Sequence, residues 1–591
     1  MIRNKQLLTV FIALLIVSFA FGQAGKNDLY LQTSEMNDIM VHYNADRDII
    51  LRFYSSSGSR AEWWQNQYGD NYNSPERRQR LLRLIGDYTK QMEAMDFDGM
   101  NVNGKVDYLL FRRDLEDSKY KLELENKEYA AVTRFLPFSD SIYALEKPRR
   151  RGLVVNGQQV AKTLNEVRKQ IIQSIGSLNK GDSLDSKQAK VAAAAVKGLQ
   201  GTLKDYYTFY NGYDPLFTWW VPKTYSEVDS LLGLYAGSLT KKSRLNTSQK
   251  DDGSGIIGNP IGREELIRQL KLEFIPYTPE ELVDIANKEF AWCDAELLKA
   301  SREMGFGDNW KAAQEKVKNS YVEPGRQPEA MYDLYQQSVD FLKKNDLVTI
   351  DPLAEEGWSM LMMTPERQLV NPFFLGGESL IISYPTNTMS YDDKMMSMRG
   401  NNPHFSRATV HHELIAGHHM QGFMNDRYKT YRHFNTPFWV EGNSLYWELL
   451  LWDLKFPRSP EDRIGMLFWR MHRCARIIFS LSYHLGKWTP QQCIDFLVDR
   501  VGHERANAEG EVRRSFVGGY SPLYQLAYMI GGLQFYALKK ELVDTRKMTY
   551  KQYHDAILHE NAMPIEMVRA LLTNQPLKRD FKTNWRFYTG N

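Results

Sequence analysis

The stretch ATVHHELIAGHHMQ, Ala408–Gln421, contains four histidines and one glutamate. In the common zinc-peptidase pattern His-Glu-x-x-His, two histidines one helical turn apart bind the metal, and the glutamate acts as general base. His412 and Glu413 begin this pattern, but the residue four positions after His412 is Ala416, and the next histidine is His418. The segment is therefore either a distorted metal-binding helix or a histidine-rich helix without a metal.

A regular helix through this segment cannot form a metal site. Residues six apart, such as His412 and His418, point to different sides of a helix. His411 and His418 share a face, but they are about 10 Å apart along the axis, too far for one zinc ion. Glycine is costly within a helix, and inserted residues are absorbed as π-type bulges. We therefore expect Ala416 and Gly417 to widen the turn and to bring His418 beside His412.

A third ligand is expected in FWVEGNSLYWELLLWDLKF, Phe438–Phe456. Glu441 and Glu448 are seven apart and therefore share one face of a helix. They lie among Trp, Leu and Tyr residues, where an unpaired carboxylate is costly. A metal ion, or a bond to a histidine ligand, would relieve that cost. The alternative is that Glu441 caps the helix that begins after Pro437.

These motifs resemble a bacterial family catalogued as domain of unknown function number eight-eight-five. Its signature reads His-Glu-x-x-Pro-Gly-His-His, followed by Glu-Gly-Trp, a tyrosine and a glutamate. This chain has HELIAGHH and EGNSLYWE, with Ala416 in place of the proline and Asn443 in place of the tryptophan. The resemblance covers most of the chain after Gly262 and, more weakly, the part before it. The family resembles helical zinc peptidases of the gluzincin type, in which two histidines and a downstream glutamate hold the metal.

The residues and the resemblance together predict a Zn²⁺ site formed by His412, His418 and Glu441, with Glu413 as general base. Two alternatives remain: one in which another histidine replaces one of the ligands, and one in which no metal binds. The side chains that could support or replace a ligand are His419, His411 and Glu448.

Three tyrosines near the C-terminus are candidates for contact with the substrate. Tyr520, Tyr524 and Tyr528 are four apart, which predicts one face of a helix. Tyr528 is the preferred donor to the oxyanion of the reaction, whereas core packing is favoured for Tyr520 and Tyr524, of which Tyr524 is kept as a candidate substrate contact. Arg514 is a candidate ligand for a substrate carboxylate, with a surface position as the alternative.

The composition is that of an ordinary globular protein. Of 591 residues, 43% are hydrophobic and 25% are charged, and the formal net charge is +3. No basic run with interleaved aromatic residues is present, so nucleic acid is not an expected partner. Three cysteines exclude a disulfide-rich fold, although one bridge that includes Cys474 or Cys493 is an alternative to three free thiols.

The N-terminus has the pattern of an export signal. Arg3 and Lys5 precede the apolar run Leu7–Phe21, and small residues follow. Residues 1–23 are therefore predicted to be a signal peptide, with an uncleaved anchor as the alternative. No cysteine follows the run, which excludes a lipoprotein anchor. A periplasmic or secreted protein without stable membrane insertion after cleavage is expected, and the oligomeric state stays open.

Helical patterns dominate the rest of the chain. Three helices are predicted to begin at Ser74-Pro75, Thr278-Pro279 and Ser459-Pro460, where a capping residue precedes proline. The best strand pattern is Glu378–Pro385. We therefore expect a mainly α, large helical zincin-like fold with a deep cleft and a small β-sheet next to the metal-site helix. The predicted regions are an N-terminal helical region at 24–240, a linker or surface loop at 241–262, and a catalytic helical region at 263–591.

The function that these observations predict is hydrolysis of peptide bonds, with short peptides as substrates, by an exported zinc metallopeptidase. The metal would activate a water molecule, and Glu413 would accept its proton. Two alternatives use the same residues differently. One is a metal-dependent hydrolase of a non-peptide amide or ester, and the other is a non-catalytic exported binding protein with a degenerate site.

Overall fold

The computed structural model of the protein describes residues 32–54, 74–180, 184–245, 250–368, 373 and 375–590. The predicted signal peptide at 1–23 lies outside these described residues. The fold is mainly α with a small two-stranded sheet, as the sequence predicts. The chain forms two compact units, one from Met36–Asp96 and Phe111–Lys250, and the other from Phe97–Leu110 and the chain from Asp251 onward.

The unit that contains Phe111–Lys250 is an assembly of helices around an apolar core. One helix of this core buries Ala189, Ala192 and Val196 completely on one face. The helices of this part of the chain, including one that begins before Phe111, are α1 Asn37–Phe53, α2 Pro75–Glu93, α3 Val102–Val132, α4 Ser139–Arg149, α5 Gly157–Asn179, α6 Ser186–Tyr210, α7 Pro215–Trp220 and α8 Pro222–Leu245.

The other unit carries the histidine segment and is also helical. Its helices are α9 Gly262–Leu272, α10 Pro279–Glu303, α11 Trp310–Lys318, α12 Gln327–Lys344, α13 Pro352–Gly357, α14 Pro365–Gln368, α15 Tyr391–Gly400, α16 Pro403–Glu413, α17 His418–Asn425, α18 Pro437–Asp453, α19 Pro460–His484, α20 Pro490–Phe496, α21 Arg505–Val517, α22 Tyr524–Lys539, α23 Tyr550–Leu558 and α24 Ile565–Leu572. Residues 250–261, in the segment predicted as linker or surface loop, form neither helix nor strand.

The three predicted helix starts are confirmed. The side chain of Ser74 accepts a hydrogen bond from the backbone of the first turn of α2, Thr278 does the same for α10, and Ser459 does so for α19. A proline follows each cap, where its missing N–H costs nothing. Local signals of this kind act before any tertiary contact forms, so they can be recognised in the sequence alone.

The small sheet lies beside the histidine segment. Strands β1 Ser359–Met362 and β2 Ser379–Ile382 pair in parallel, and Ile381 also forms an antiparallel bridge with Leu375. β2 lies within the predicted strand Glu378–Pro385. Because Leu375 and Gly376 follow the same edge of the sheet toward the histidine segment, the sheet forms one wall of the cavity described below.

Two closely packed helices place the glutamates of α18. This helix buries thirteen of its seventeen residues, which is expected for a helix that is apolar on all sides. A Cβ atom on Gly442 would come within 2.6 Å of the Cα atom of Gly531 in α22. The absence of both side chains therefore allows the backbones of α18 and α22 to approach, and this brings Tyr524 to Glu441.

Two further sequence expectations concern membranes and thiols. Among the described residues, no helix combines the length and the apolar character needed to span a bilayer. Cys293, Cys474 and Cys493 are all free and buried, so the alternative with a disulfide is wrong.

Candidate metal centre

The histidine segment is a broken helix, and the predicted π-type bulge is wrong. Helix α16 ends at Glu413, four residues follow in a bent conformation, and α17 begins at His418. The break removes the normal helical partner of the His412 carbonyl, and the hydroxyl of Ser444 donates to this oxygen at 3.1 Å instead. The residues between the two histidines are thus accommodated by ending one helix and starting another.

Gly417 allows the close contact at the break. Its φ of −93° lies outside the left-handed region, and the space around the residue gives the clearest reason for glycine. A Cβ atom at this position would overlap the carbonyl oxygen of His412. Glycine therefore allows the start of α17 to pack directly against the end of α16, and this contact places His418 beside His412.

Three side chains converge where the two helices meet. The Nε2 atoms of His412 and His418 lie 3.4 Å and 3.3 Å from the same Oε2 atom of Glu441. Neither contact has the geometry of a hydrogen bond, so this buried oxygen has no donor. One ligand atom from each residue lies within 4.8 Å of the others, which makes the three a group that could hold a metal ion among the described residues.

The spacing of these atoms fits tetrahedral zinc. Zinc binds histidine nitrogen and carboxylate oxygen at about 2.0–2.2 Å, so ligands at the corners of a tetrahedron lie about 3.3–3.6 Å apart. The two measured separations from Glu441 Oε2, 3.4 Å and 3.3 Å, agree with that geometry. Three protein ligands leave the fourth position of a tetrahedral ion for water or substrate, as in catalytic zinc sites.

Both histidines are held with Nε2 toward this point. The Nδ1 atom of His412 lies 2.7 Å from Oε1 of Glu448, which accepts its proton in a buried hydrogen bond. The Nδ1 atom of His418 lies 3.3 Å from the hydroxyl of Ser444. Such partners fix the tautomer and the ring orientation of metal ligands. Tyr524 donates to the other oxygen of Glu441, so Oε2 is the oxygen left for a cation.

Glu413 lies in the wall of the cavity next to the three converging side chains. Its Oε2 atom accepts a hydrogen bond from the backbone N–H of Gly376 at 2.6 Å. A Cβ atom on Gly376 would overlap the backbone of Glu413, so glycine allows the edge of the sheet to reach the end of α16. This hydrogen bond from the edge of the sheet orients the Glu413 carboxylate. Glu413 is separate from the three side chains that converge.

The two other histidines of the segment lie elsewhere. Both ring nitrogens of His419 face backbone carbonyls, at 3.1 Å from Gly377 and 2.8 Å from Ala354. His411 is fully buried with its ring against Phe456, and burial lowers its pKa to about 4. Neither ring reaches the group that the structure brings together. Glu448 also stays outside it and instead holds His412.

The tyrosines do not form the expected helical stripe, because α22 begins only at Tyr524 and Tyr520 precedes it. Their rings nevertheless follow one another, with centroids 4.6 Å and 5.7 Å apart, and all three line the cavity. The ring of Tyr528 stacks on His412 at 6.1 Å. Burial raises the pKa of Tyr528 to about 12, so the phenol keeps its proton and can donate.

Sequence reasoning identified Arg514 but missed two other arginines of the cavity wall, Arg473 and Arg476. Arg473 and Arg476 lie on α19, and each is only 4% exposed. Arg476 donates to Glu511 at 2.7 Å, and Arg514 lies 2.9 Å from the other oxygen of that carboxylate. The surface alternative for Arg514 is wrong. The pattern RMHRCARIIF would have shown these arginines, because charges in an apolar helix are costly unless they are paired.

The electrostatics of the site favour a cation among its carboxylates. Burial lowers the pKa of His412, but the nearby carboxylates of Glu441 and Glu448 outweigh this effect and raise the pKa to about 9. Burial raises the pKa of Glu441, but the charge of His418 holds it well below its ordinary value. Without a metal, the proton of His412 offsets part of the negative charge of the buried carboxylates. A divalent cation would replace those protons and satisfy the same charges.

The cavity that contains this group has a volume of about 250 Å³. It is bounded by the edge of the sheet, the end of α16, and helices α18, α19, α21 and α22. Its wall combines the three converging side chains and Glu413 with tyrosines and arginines. One enclosure therefore contains a group of side chains that could hold a metal ion and a wall that carries arginines.

The sequence places this chain in a bacterial family. A family model described as "Bacterial protein of unknown function (DUF885)" matches residues 55–572, and the chain belongs to this family. No curated protein sequence matches the chain.

Two solved structures share the fold. One is described as a "putative lipoprotein of unknown function" from Shewanella oneidensis, with a TM-score of 0.65, 16% identity, and coverage of 90% of this chain and 98% of that one. The other, a "putative lipoprotein" from Colwellia psychrerythraea, has a TM-score of 0.56, 15% identity and the same coverage. At these identities the likeness concerns the fold alone.

Proposed function

We propose that this chain is an exported zinc-dependent peptidase of the gluzincin type, in which His412, His418 and Glu441 hold the metal. The observation that carries the proposal is the convergence of two Nε2 atoms on a buried carboxylate oxygen that lacks a donor. A zinc ion bound there supplies a Lewis acid that polarises a carbonyl group and lowers the pKa of water.

In the proposed reaction, Glu413 transfers the proton and Tyr528 stabilises the oxyanion. Glu413 faces the cavity beside the ligands and accepts a proton from the attacking water, then passes it to the leaving amine. Its bond to the backbone of Gly376 keeps the carboxylate directed into the cavity. Tyr528 keeps its proton and donates to the oxygen on which negative charge develops.

The size and the walls of the cavity support small substrates. A volume of about 250 Å³ accommodates a few residues of an extended peptide and no folded domain. The edge of the sheet at Leu375 and Gly376 lies beside the proposed base and provides backbone groups next to an extended chain. We therefore assign short peptides as the substrate class.

The test compares the zinc-loaded full chain with the Glu413→Gln variant on a library of short peptides, with products read by mass spectrometry. We expect cleavage by the wild type, loss of at least about 100-fold in rate in the variant, and equal zinc content in both. Glu461→Gln, an equally conservative change in the first turn of α19, is the matched control and should cleave normally. Stoichiometric zinc without cleavage of any peptide would contradict the peptidase assignment and favour a binding protein.

A further inference from the structure

The cavity contains more positive charge than the proposed reaction requires. Arg476 and Arg514 both pair with Glu511, and Arg473 shares Glu448 with a histidine. A buried guanidinium with unused donors, as in Arg473 and Arg476, is costly unless a ligand supplies the missing negative charge. The excess therefore indicates an anionic group of the substrate.

Unused donors identify where this group would bind. The Nη1 atom of Arg476 and the Nε atom of Arg473 are buried and have no hydrogen-bond partner. Both guanidinium groups line the cavity, and both side chains are more than nine-tenths buried. A planar carboxylate matches the forked donors of arginine and forms strong charge-assisted hydrogen bonds with them.

The distance to the metal group limits the length of the bound segment. The ring of Tyr528 lies 6.1 Å from the ring of His412, and 4.4 Å and 4.7 Å from the Cζ atoms of Arg476 and Arg473. The guanidinium groups are therefore within about 11 Å of that histidine ring, and an extended chain advances about 3.5 Å per residue. About 4 Å of this distance separates a guanidinium carbon from the carbon of a carboxylate that it binds, so at most two residues fill the remaining space.

The arginines lie in a packed part of the cavity wall. The guanidinium of Arg473 lies 5.0 Å from the ring of Trp469, that of Arg476 lies against Glu511, and both arginine side chains are only 4% exposed. A chain end therefore fits this position more readily than a continuing chain. We propose that Arg473, Arg476 and Arg514 bind the free terminal carboxylate of the substrate, and that the enzyme removes one or two residues from the C-terminus of short peptides. This inference rests on the proposed peptidase function for the cleavage, but not for the binding.

The experiment measures binding separately from turnover. A library of N-acetylated tripeptides is prepared twice, as free acids and as C-terminal amides. Each library is incubated with the Glu413→Gln variant, with and without zinc, and retained peptides are identified by ultrafiltration and mass spectrometry. We expect free acids to be retained about 10- to 100-fold better than the matching amides, the size expected for charge-assisted bonds in a buried site.

Variants of the arginines test whether these residues cause the preference for free acids over amides. In the Glu413→Gln background, Arg476→Gln and Arg514→Gln should each reduce the acid-to-amide ratio toward one, whereas Arg476→Lys, which keeps the charge, should retain part of it. Arg463→Gln is the control, because this arginine lies on the same helix but pairs with Glu303 outside the cavity.

Each outcome decides the inference. Equal retention of acids and amides, or retention of neither, would overturn it. Retention only of amides that contain aspartate or glutamate would overturn it as well, since the carboxylate would then come from a side chain. Selective retention of free acids without cleavage by the wild type would refute the peptidase function and leave the carboxylate site established.

Discussion

Replacing Gly417 by alanine tests the helix break that brings the ligands together. A Cβ atom at this position would overlap the backbone oxygen of His412, and such atoms essentially never lie closer than 3.0 Å. Because backbone cannot rotate away as a side chain can, α16 and α17 must separate by about 1 Å. Zinc ligand distances tolerate only about ±0.2 Å. We therefore expect zinc affinity to fall at least about 100-fold, and stability to fall by about 1–3 kcal/mol.

Gly422 provides the matched control. It is exposed in the middle of α17, and a Cβ atom there would meet nothing within 4 Å. Gly422→Ala should therefore raise stability by about 0.5–1 kcal/mol through helix propensity and leave zinc binding unchanged. The assay is competition for zinc with a chromophoric chelator, together with thermal unfolding of both variants. Equal zinc affinity of the two alanine variants would refute the reasoning.

Three further changes test separate parts of the account. Glu448→Gln should weaken zinc binding by about 10- to 100-fold in the same competition assay, because it loosens the hydrogen bond that orients His412; unchanged affinity would show that this bond does not matter. Tyr528→Phe should lower the cleavage rate and leave zinc content unaltered, because the phenol is proposed to donate to the substrate, whereas the ligand Glu441 is held by Tyr524. Burial raises the pKa of Glu566 from its ordinary value of 4.5 to about 7. Between these two pH values the folded protein keeps a proton that the unfolded chain has released. The free energy of unfolding should therefore fall as the pH rises from 4.5 to 7. Glu566→Gln should remove this dependence in thermal unfolding at pH 5 and pH 8, and an unchanged difference between the two pH values would contradict it.

The features that sequence predicted best are local ones. The caps at Ser74, Thr278 and Ser459 each require a residue within one turn, and all three helices begin where expected. The shared face of Glu441 and Glu448 also follows from helical spacing alone. Both carboxylates lie next to His412 in the structure. Periodicity could place them together because α18 is a regular helix throughout.

The features that sequence reasoning missed depend on contacts between distant segments. The break after Glu413 is stabilised by Ser444, 32 positions after His412, which no local pattern reveals. The arginines of α19 obtain their role from Glu511 on α21, and Tyr520 lies outside α22 although its spacing is helical. Spacing in the sequence predicts which residues share a face of a helix. It does not predict where the helix ends when tertiary packing determines that end.

His412, His418 and Glu441 are proposed to hold one zinc ion. The most direct measurement is anomalous diffraction at the zinc absorption edge from crystals of the full chain equilibrated with zinc. We expect one strong peak about 2.0–2.2 Å from the Nε2 atoms of both histidines and from a carboxylate oxygen of Glu441. A fully zinc-saturated crystal without a peak at that point, or with the peak bound by His419 instead of His418, would contradict the account.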